Sequence, residues 1–323
     1  MIDIETLKEH IDYTLESTHL AGIGERRQGK VRDIYIAPHR TILVASDRYS
    51  AFDRNLALVP FKGAMLTGIA SFWFDATKDI IQNHIVAMPD PNVIVCKKCT
   101  VLPIEVVVRG YITGVTGTAL WTLYMTGKRD FGDFTLPDGM KKNQKLDHPI
   151  LTPTTKSDEH DRPVTNAEIV SEGMVEEGLW KQVCEKALAL FARGTEIAAS
   201  RGLILVDTKY EFGVDEDGVL TLVDEIHTPD SSRYWKLASY ANRFDSGLEP
   251  EYFDKEFLRL WFKEHSDPYN DKVLPEAPKE MVAELSRRYI EIYETLTGKE
   301  FTADFSVPIE ERIANNLKSY ATN

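Results

Sequence analysis

Short apolar runs punctuated by turn residues dominate the first third of the chain. Residues 31–37, 41–46, 92–98 and 102–109 are rich in Val and Ile and bounded by Pro, Asp or Gly, which predicts strands. Only Pro38, His39 and Arg40 separate the first two, which predicts a hairpin. A helical stretch at about residues 66–79 interrupts the series. Strands joined through short turns favour an antiparallel sheet over a doubly wound parallel one. Between residues 131 and 164 the periodicity dissolves. Pro137, Gly139, Pro149, Pro153 and Pro163 punctuate a polar, Lys- and Thr-rich segment, which reads as a functional loop or a disordered connector.

Helix returns at residues 168–176 and more strongly at 179–200. There Val183, Leu190 and Ile197 recur at sevens with Ala187 and Phe191 beside them, and Gly202 ends the helix. Strands at 203–211 and 219–226 follow, with a turn at 215–218. Residues 253–265, 280–297 and 308–320 predict three amphipathic helices, which read as packing rather than chemistry. At 323 residues the chain exceeds the usual single-core size, so two lobes are expected.

Composition narrows the function. With 43% hydrophobic and 28% charged residues the chain is an ordinary globular protein. A net charge of −13 argues against a nucleic-acid binder, which needs a basic face to displace counterions. Anions can be held only in a local basic pocket. Cys96 and Cys99 have CxxC spacing, but no second pair or nearby His completes a zinc site, and with Cys184 the thiols cannot all pair. The acidic start of the chain lacks a signal-peptide pattern, and no apolar run approaches the roughly 18 residues of a membrane span. A cytoplasmic protein without nucleic-acid or membrane partners is expected.

Chemistry concentrates in a few strings. In Asp207-Thr-Lys209-Tyr-Glu211 the alternation of a strand puts three charges of both signs on one face, about 7 Å apart at alternate positions. This suits carboxylates sharing a metal or substrate phosphate with a lysine between them. A solvated sheet face with a cross-strand ion pair would look the same. Alternation on the next strand places Asp224 on a face with Leu220, Leu222 and Ile226, opposite Glu211 and suited to completing a hard-cation site. Asp230, Ser231, Ser232 and Arg233 follow as candidates for orienting an anionic substrate, and His227 reads as a surface-loop histidine. Gly29-Lys30-Val31-Arg32 puts alternating cations at the start of a strand, without the pattern of a P-loop. The string at 46–54 reads as a polar turn with local side-chain caps. Arg109 ends an apolar strand before a Gly/Thr turn, a combination suited to phosphate or carboxylate. The string at 149–161 suits a mobile lid, with Lys156 reaching phosphate; a disordered linker would look much the same.

Together these strings resemble the SAICAR synthetase family. The resemblance rests on GKVRDIY at 29–35, SDRYSAFD at 46–53, LPIEVVVRGYITG at 102–114, TPTTKSDEHD at 152–161, LVDTKYEFG at 205–213 and DEIHTPDSSRYW at 224–235, in one order along the chain. It implies ATP-dependent ligation of CAIR, a phosphoribosyl aminoimidazole carboxylate, with L-aspartate, with Mg2+ as cofactor. It also implies an α+β fold of two lobes, distantly like protein kinases and ATP-grasp enzymes. An antiparallel β-rich N-terminal lobe at 1–112 would precede a larger α/β lobe with C-terminal helices at 113–323, and nucleotide would lie in the cleft.

Carried over by position, Lys30 and Arg32 correspond to nucleotide-phosphate contacts, and Glu211 and Asp224 to the magnesium and ATP-site carboxylates. Arg109, Asp207 and Arg233 correspond to groups that hold CAIR, with Lys209 among them; Asp207 and Lys209 are the catalytic candidates. Ser50 and Asp53 match an early polar loop assigned to substrate, as are Thr116, Asp230 and Ser232. Many members carry Ser where this chain has Val115, and Thr116 or Thr118 is the candidate replacement. A protein kinase is disfavoured because neither its H-R-D-x-x-x-x-N loop nor its Gly-rich loop is present. A non-catalytic nucleotide-binding protein would not need the metal carboxylates.

Overall fold

The computed structural model describes residues 2–52, 54–156, 162–253 and 256–321. The chain opens with α1 (Ile4–Glu9), capped by the Asp3 side chain. An antiparallel sheet follows, built from β1 (Glu25–Gln28), β2 (Arg32–Ile36), β3 (Arg40–Ala45), β6 (Ile85–Asp90) and β7 (Val93–Lys97) in the order β1-β2-β3-β7-β6. Between β3 and β6 lie the hairpin β4 (Arg48–Ala51) and β5 (Arg54–Leu58) and helix α2 (Lys62–Ala76). The hairpin expected across Pro38–Arg40 is β2–β3, closed by the Ala37 N–H donating to the Arg40 carbonyl at 2.9 Å.

The longest strands come next. β8 (Cys99–Ile112) leads into α3 (Leu120–Met125), β9 (Gln144–Leu151) and β10 (Thr154–Thr155). Then follow α4 (Asn166–Ser171), α5 (Glu177–Ser200), β11 (Leu203–Asp215), β12 (Leu220–Val223), β13 (Ser232–Lys236) and α6 (Leu237–Asp245). Their antiparallel sheet runs β10-β8-β11-β12, with β13 also on β11 and β9 also on β8. The segment expected to be structureless therefore contains two strands. QKLDHPIL alternates poorly because only Leu146 and Ile150 are buried, so its pairing with β8 rests on backbone hydrogen bonds that side-chain pattern does not announce. The residues at 157–161, part of the expected lid, lie outside the described residues.

Helix α5 meets the expectation, with Val183, Ala187, Leu190 and Phe191 buried. Gly194 rather than a large residue sits at its contact with the sheet. A Cβ there would lie 2.4 Å from the His227 ring, so only glycine permits the approach. The chain ends in α7 (Glu256–His265), α8 (Lys279–Thr297), stopped by Gly298 in left-handed backbone, and α9 (Ile309–Asn316).

By contact the chain forms two compact units that do not divide at residue 112. One comprises Met1–Phe72, His84–Lys98 and Phe253–Asn323; the other comprises Trp73–Asn83 and Cys99–Tyr252. Strand β8 pairs along most of its length with β11, which assigns it to the second unit. The C-terminal helices bury Leu258, Phe262, Leu285 and Tyr289 with Leu7, Tyr49, Phe61 and Met65, and Ile309 and Ile313 with Ile42, Val44 and Val95. They complete the core of the first unit instead of extending the second. Among the described residues no helix is long and apolar enough to cross a membrane.

Candidate active site

The second unit gathers charge on one face of β11. Asp207 sits directly across from Arg109 on β8 and from Arg233 on β13, so one carboxylate lies between two guanidinium groups on adjacent strands. Asp207 Oδ2 accepts from Arg109 Nη1 at 3.2 Å and lies 3.3 Å from Arg233 Nη1. Arg109 Nε also donates to Thr152 Oγ1 at 2.9 Å, next to β9. A register shift between Leu205 and Asp207 marks an irregularity in the β11–β13 pairing there, the kind of device that re-aims a side chain. Asp207 is 5% exposed. Burial pulls the pKa of the Arg109 guanidinium down from its ordinary value and Arg233 adds to the effect, while Asp207 opposes it. The protein thus under-compensates the positive charge here, and an incoming anion would restore the balance.

Two residues along, the charge order inverts. Glu211 faces Glu105 across β8, like charges that would repel directly opposite one another. Lys209 resolves this, its Nζ lying 2.7 Å from Glu105 Oε1 and 2.9 Å from Glu211 Oε1. The Lys156 ammonium pairs with the other Glu211 oxygen. Burial opposes the charge on Lys209, but the carboxylates of Glu211, Glu105 and Asp224 outweigh it and hold its pKa above the ordinary lysine value. Lys209 is therefore an ammonium at any working pH. The solvated-face reading of this strand fails, because Asp207 and Glu211 are both buried.

Asp224 is not opposite Glu211 as the alternation suggested. The register pairs Glu211 with Val223, and Asp224 follows the strand end in left-handed backbone, φ 65°. Its charge still reaches Lys209. Among the described residues no ready-made set of three or more Asp, Glu, His or Cys ligands exists. Magnesium needs only one or two protein carboxylates when nucleotide phosphates supply the rest, and the hard oxygens of Glu211 and Asp224 fit that chemistry.

The other sequence candidates separate. Ser232 pairs with Thr208 and donates to its hydroxyl at 2.7 Å, which is the face of β11 opposite Asp207. Alternation therefore turns it away from the arginine cluster. Asp230 is half-buried, its N–H donating to Thr228 Oγ1 at 3.3 Å. Thr116 lies on an exposed turn, whereas Thr118 lines a cavity of about 700 Å³ with Arg109, Lys128, Phe131, Thr152 and Glu168. That volume is in the range of small-molecule sites.

In the first unit, Lys30 is exposed in the turn between β1 and β2, not on a strand, while Arg32 opens β2. Ser50 is half-buried on β4, and Asp53 lies outside the described residues.

His227 is fully buried, contrary to its surface reading. Its Nε2 is hydrogen-bonded to the Tyr210 hydroxyl, its carbonyl accepts from Tyr234, and its ring packs edge-on against Trp73. Burial lowers its pKa to about 3, so it is neutral. Sequence reasoning also missed Glu105 and Arg48. Glu105 carried a signal, since it shares one face of β8 with Arg109, which meets the Asp207 carboxylate, while Glu105 meets the Lys209 ammonium. Arg48 is 1% exposed and paired with buried Asp33, which no local pattern foretells.

The chain is similar to known proteins of one family over most of its length. A SAICAR synthetase family model matches residues 25–276. A phosphoribosylaminoimidazole-succinocarboxamide synthase of Legionella pneumophila (strain Paris) is 53% identical over 298 residues, covering 92% of this chain and 96% of that protein. A chloroplastic one of Arabidopsis thaliana is 52% identical over 316 residues, covering 96% and 77%. Among solved structures, the SAICAR synthase of Saccharomyces cerevisiae complexed with SAICAR superposes with a TM-score of 0.77 at 34% identity, covering 90% of this chain and 100% of that one. A type-2 SAICAR synthetase in complex with ADP gives 0.65 at 25%, covering 86% and 100%.

Proposed function

The chain belongs to the SAICAR synthetase family, and from that membership we propose that it uses ATP and Mg2+ to join CAIR to L-aspartate through the residues described above. The family reaction makes SAICAR for purine biosynthesis. The observation that carries the residue assignment is the Arg109–Asp207–Arg233 row beside the Lys209–Glu105–Glu211 cluster on one strand face. CAIR carries a phosphate and a carboxylate, and two guanidinium groups sharing one carboxylate leave a net positive site for such an anion.

A carboxylate is a poor acyl donor to an amine, so its activation comes first. A CAIR carboxylate oxygen attacks the γ-phosphorus of ATP, and ADP departs, leaving an acyl phosphate. Lys30 and Arg32 are assigned to the nucleotide phosphates, where positioning and charge neutralisation matter most. Magnesium, held by Glu211 and Asp224, would supply neutralisation of oxyanion charge. Lys209, a fixed cation among carboxylates, keeps Glu211 and Glu105 together on the strand face. The aspartate amine then attacks the acyl carbon, phosphate leaves, and the amine gives up a proton. Asp207 is the group assigned to orient or deprotonate that nitrogen.

The test is a coupled assay for ADP with product analysis. Sustained ADP release should require both CAIR and aspartate and yield an amide. Sustained release with a hydroxyl acceptor and no aspartate would mark a kinase instead, and no turnover with any acceptor would mark a nucleotide binder.

A further inference from the structure

The string SDR at 46–48, read from sequence as a self-capped turn, reaches across to another loop. Ser46 donates to the Val31 carbonyl twice, from its N–H at 3.0 Å and its hydroxyl at 2.8 Å. Arg48 donates from Nε to the Lys30 carbonyl at 3.1 Å and from Nη2 to the Gly29 carbonyl at 3.1 Å. Its Nη1 donates to the Glu16 carbonyl, and Nη2 also meets Asp33 Oδ1 at 3.2 Å. Three consecutive carbonyls of the β1–β2 turn are thus held by two side chains from the β3–β4 junction, Ser46 just after β3 and Arg48 at the start of β4. The turn is closed separately by the Gly29 N–H donating to the Arg32 carbonyl at 2.8 Å.

Burying a guanidinium and a carboxylate is costly, and apolar residues of similar volume often serve stability as well. Here both ions are fully engaged. Asp33 Oδ2 accepts from the Thr18 N–H at 2.6 Å, the Thr18 hydroxyl at 3.1 Å and Arg26 at 3.2 Å. A guanidinium fork matches several carbonyls in fixed directions, which a lysine ammonium on its flexible stem does not. What the buried pair supplies beyond stability is therefore a defined shape of the turn. That turn turns its carbonyls inward onto Arg48 and Ser46 while the Lys30 side chain stays exposed.

We propose that Arg48, with Ser46, is a positioning residue that presets Lys30 for the nucleotide phosphates by pinning the carbonyls of Gly29, Lys30 and Val31. This rests on the assignment of Lys30 to ATP made above. A preformed turn spares the ordering cost that a mobile lysine would incur when ATP binds. Arg48 then acts on nucleotide affinity without touching nucleotide.

The experiment is a double-mutant cycle on the full chain, reading the KM of ATP, CAIR and aspartate separately with kcat. Arg48→Lys should raise the ATP KM roughly tenfold and leave the CAIR and aspartate KM within about twofold. Lys30→Met should raise the ATP KM by at least as much, and adding Arg48→Lys to it should raise it no further. A purely structural role would lower the active fraction and Tm but leave the ATP KM of the folded fraction unchanged, which overturns the proposal. A rise with Arg48→Lys that persists undiminished on the Lys30→Met background also overturns it, because the effect would not pass through Lys30. If Lys30→Met itself leaves the ATP KM unchanged, the Lys30 assignment fails first and the proposal with it. Should Arg48→Lys not fold, Ser46→Ala removes one bond to the Val31 carbonyl and should raise the ATP KM by about threefold in the same selective way; an unchanged value there rejects the clamp.

Discussion

Asp207 lies directly opposite Arg109 across the β11–β8 pair, with Arg109 Nη1 3.2 Å from Asp207 Oδ2. The second guanidinium of Arg233, 3.3 Å from the same oxygen, leaves one charge in excess. In the proposed reaction that excess is what CAIR answers.

Lysine at position 109 keeps the charge but cannot bond Thr152 and Asp207 together as the guanidinium does. Arg109→Lys should therefore raise the CAIR KM by roughly tenfold to a hundredfold, the loss of a charge-assisted hydrogen bond costing about 1.5–3 kcal/mol. The ATP KM should stay put. Steady-state kinetics with each substrate varied in turn will tell; a change confined to the ATP KM would move Arg109 to the nucleotide side.

Asp207→Asn keeps the shape of the side chain and removes its charge from between two arginines. The expected result is a fall in kcat of about 10²–10⁴-fold, the range for a group that handles a proton or fixes a nucleophile. Single-turnover measurement of amide formation separates this from slow product release. A kcat within a few-fold of normal would strip Asp207 of its assignment.

Glu211 neutralises two lysines and is assigned to magnesium. Glu211→Gln should fold, lose turnover by about 100-fold or more, and need higher Mg2+ for half-maximal rate. Titrating Mg2+ at saturating ATP measures this. Normal turnover with an unchanged Mg2+ requirement would remove the carboxylate from the metal's neighbourhood.

Asp47 is fully buried, and burial raises its pKa from 3.8 to about 6 even though the N–H groups of Gly63 and Leu15 favour the ionised form. The folded protein therefore holds this proton more tightly than the unfolded chain does. Its stabilising contribution is complete below about pH 4 and is lost as pH rises through 6, about 3 kcal/mol in all. Urea unfolding from pH 4 to 7 should show that decline, and Asp47→Asn should flatten it relative to wild type. Parallel pH profiles for the two proteins would refute the assignment.

His227 is buried and neutral, with a pKa near 3. His227→Phe should lower stability by about 1–3 kcal/mol by leaving the Tyr210 hydroxyl unpaired. His227→Gln should leave the shape of the pH–rate profile unchanged between pH 6 and 8. Loss of a limb in that window would mean the histidine titrates after all.

The strand and helix periods were legible because burial imposes them locally. The β2–β3 hairpin, α5, and the charged face of β11 at Asp207, Lys209 and Glu211 follow from alternation and turn residues alone. The family strings identified the chemistry for the same reason, since a functional group must occupy a fixed position on its strand.

What tertiary structure decided is everything that depends on which strand lies beside which. Alternation could say that Asp207 and Arg109 each face one side of a strand, but only register sets them opposite each other and turns Ser232 away. The same pairing brought Glu105 to Lys209 and made a strand of Gln144–Leu151, whose side chains barely alternate. His227 read as a surface-loop histidine and Arg48 as part of a polar turn with local caps. They are buried because Trp73 and Tyr210 pack on one, while Asp33 and the 29–31 turn enclose the other. A residue's own sequence neighbours fix its local geometry, but its solvent exposure and its charge partners are set by residues far along the chain, and those meet it only in the folded state.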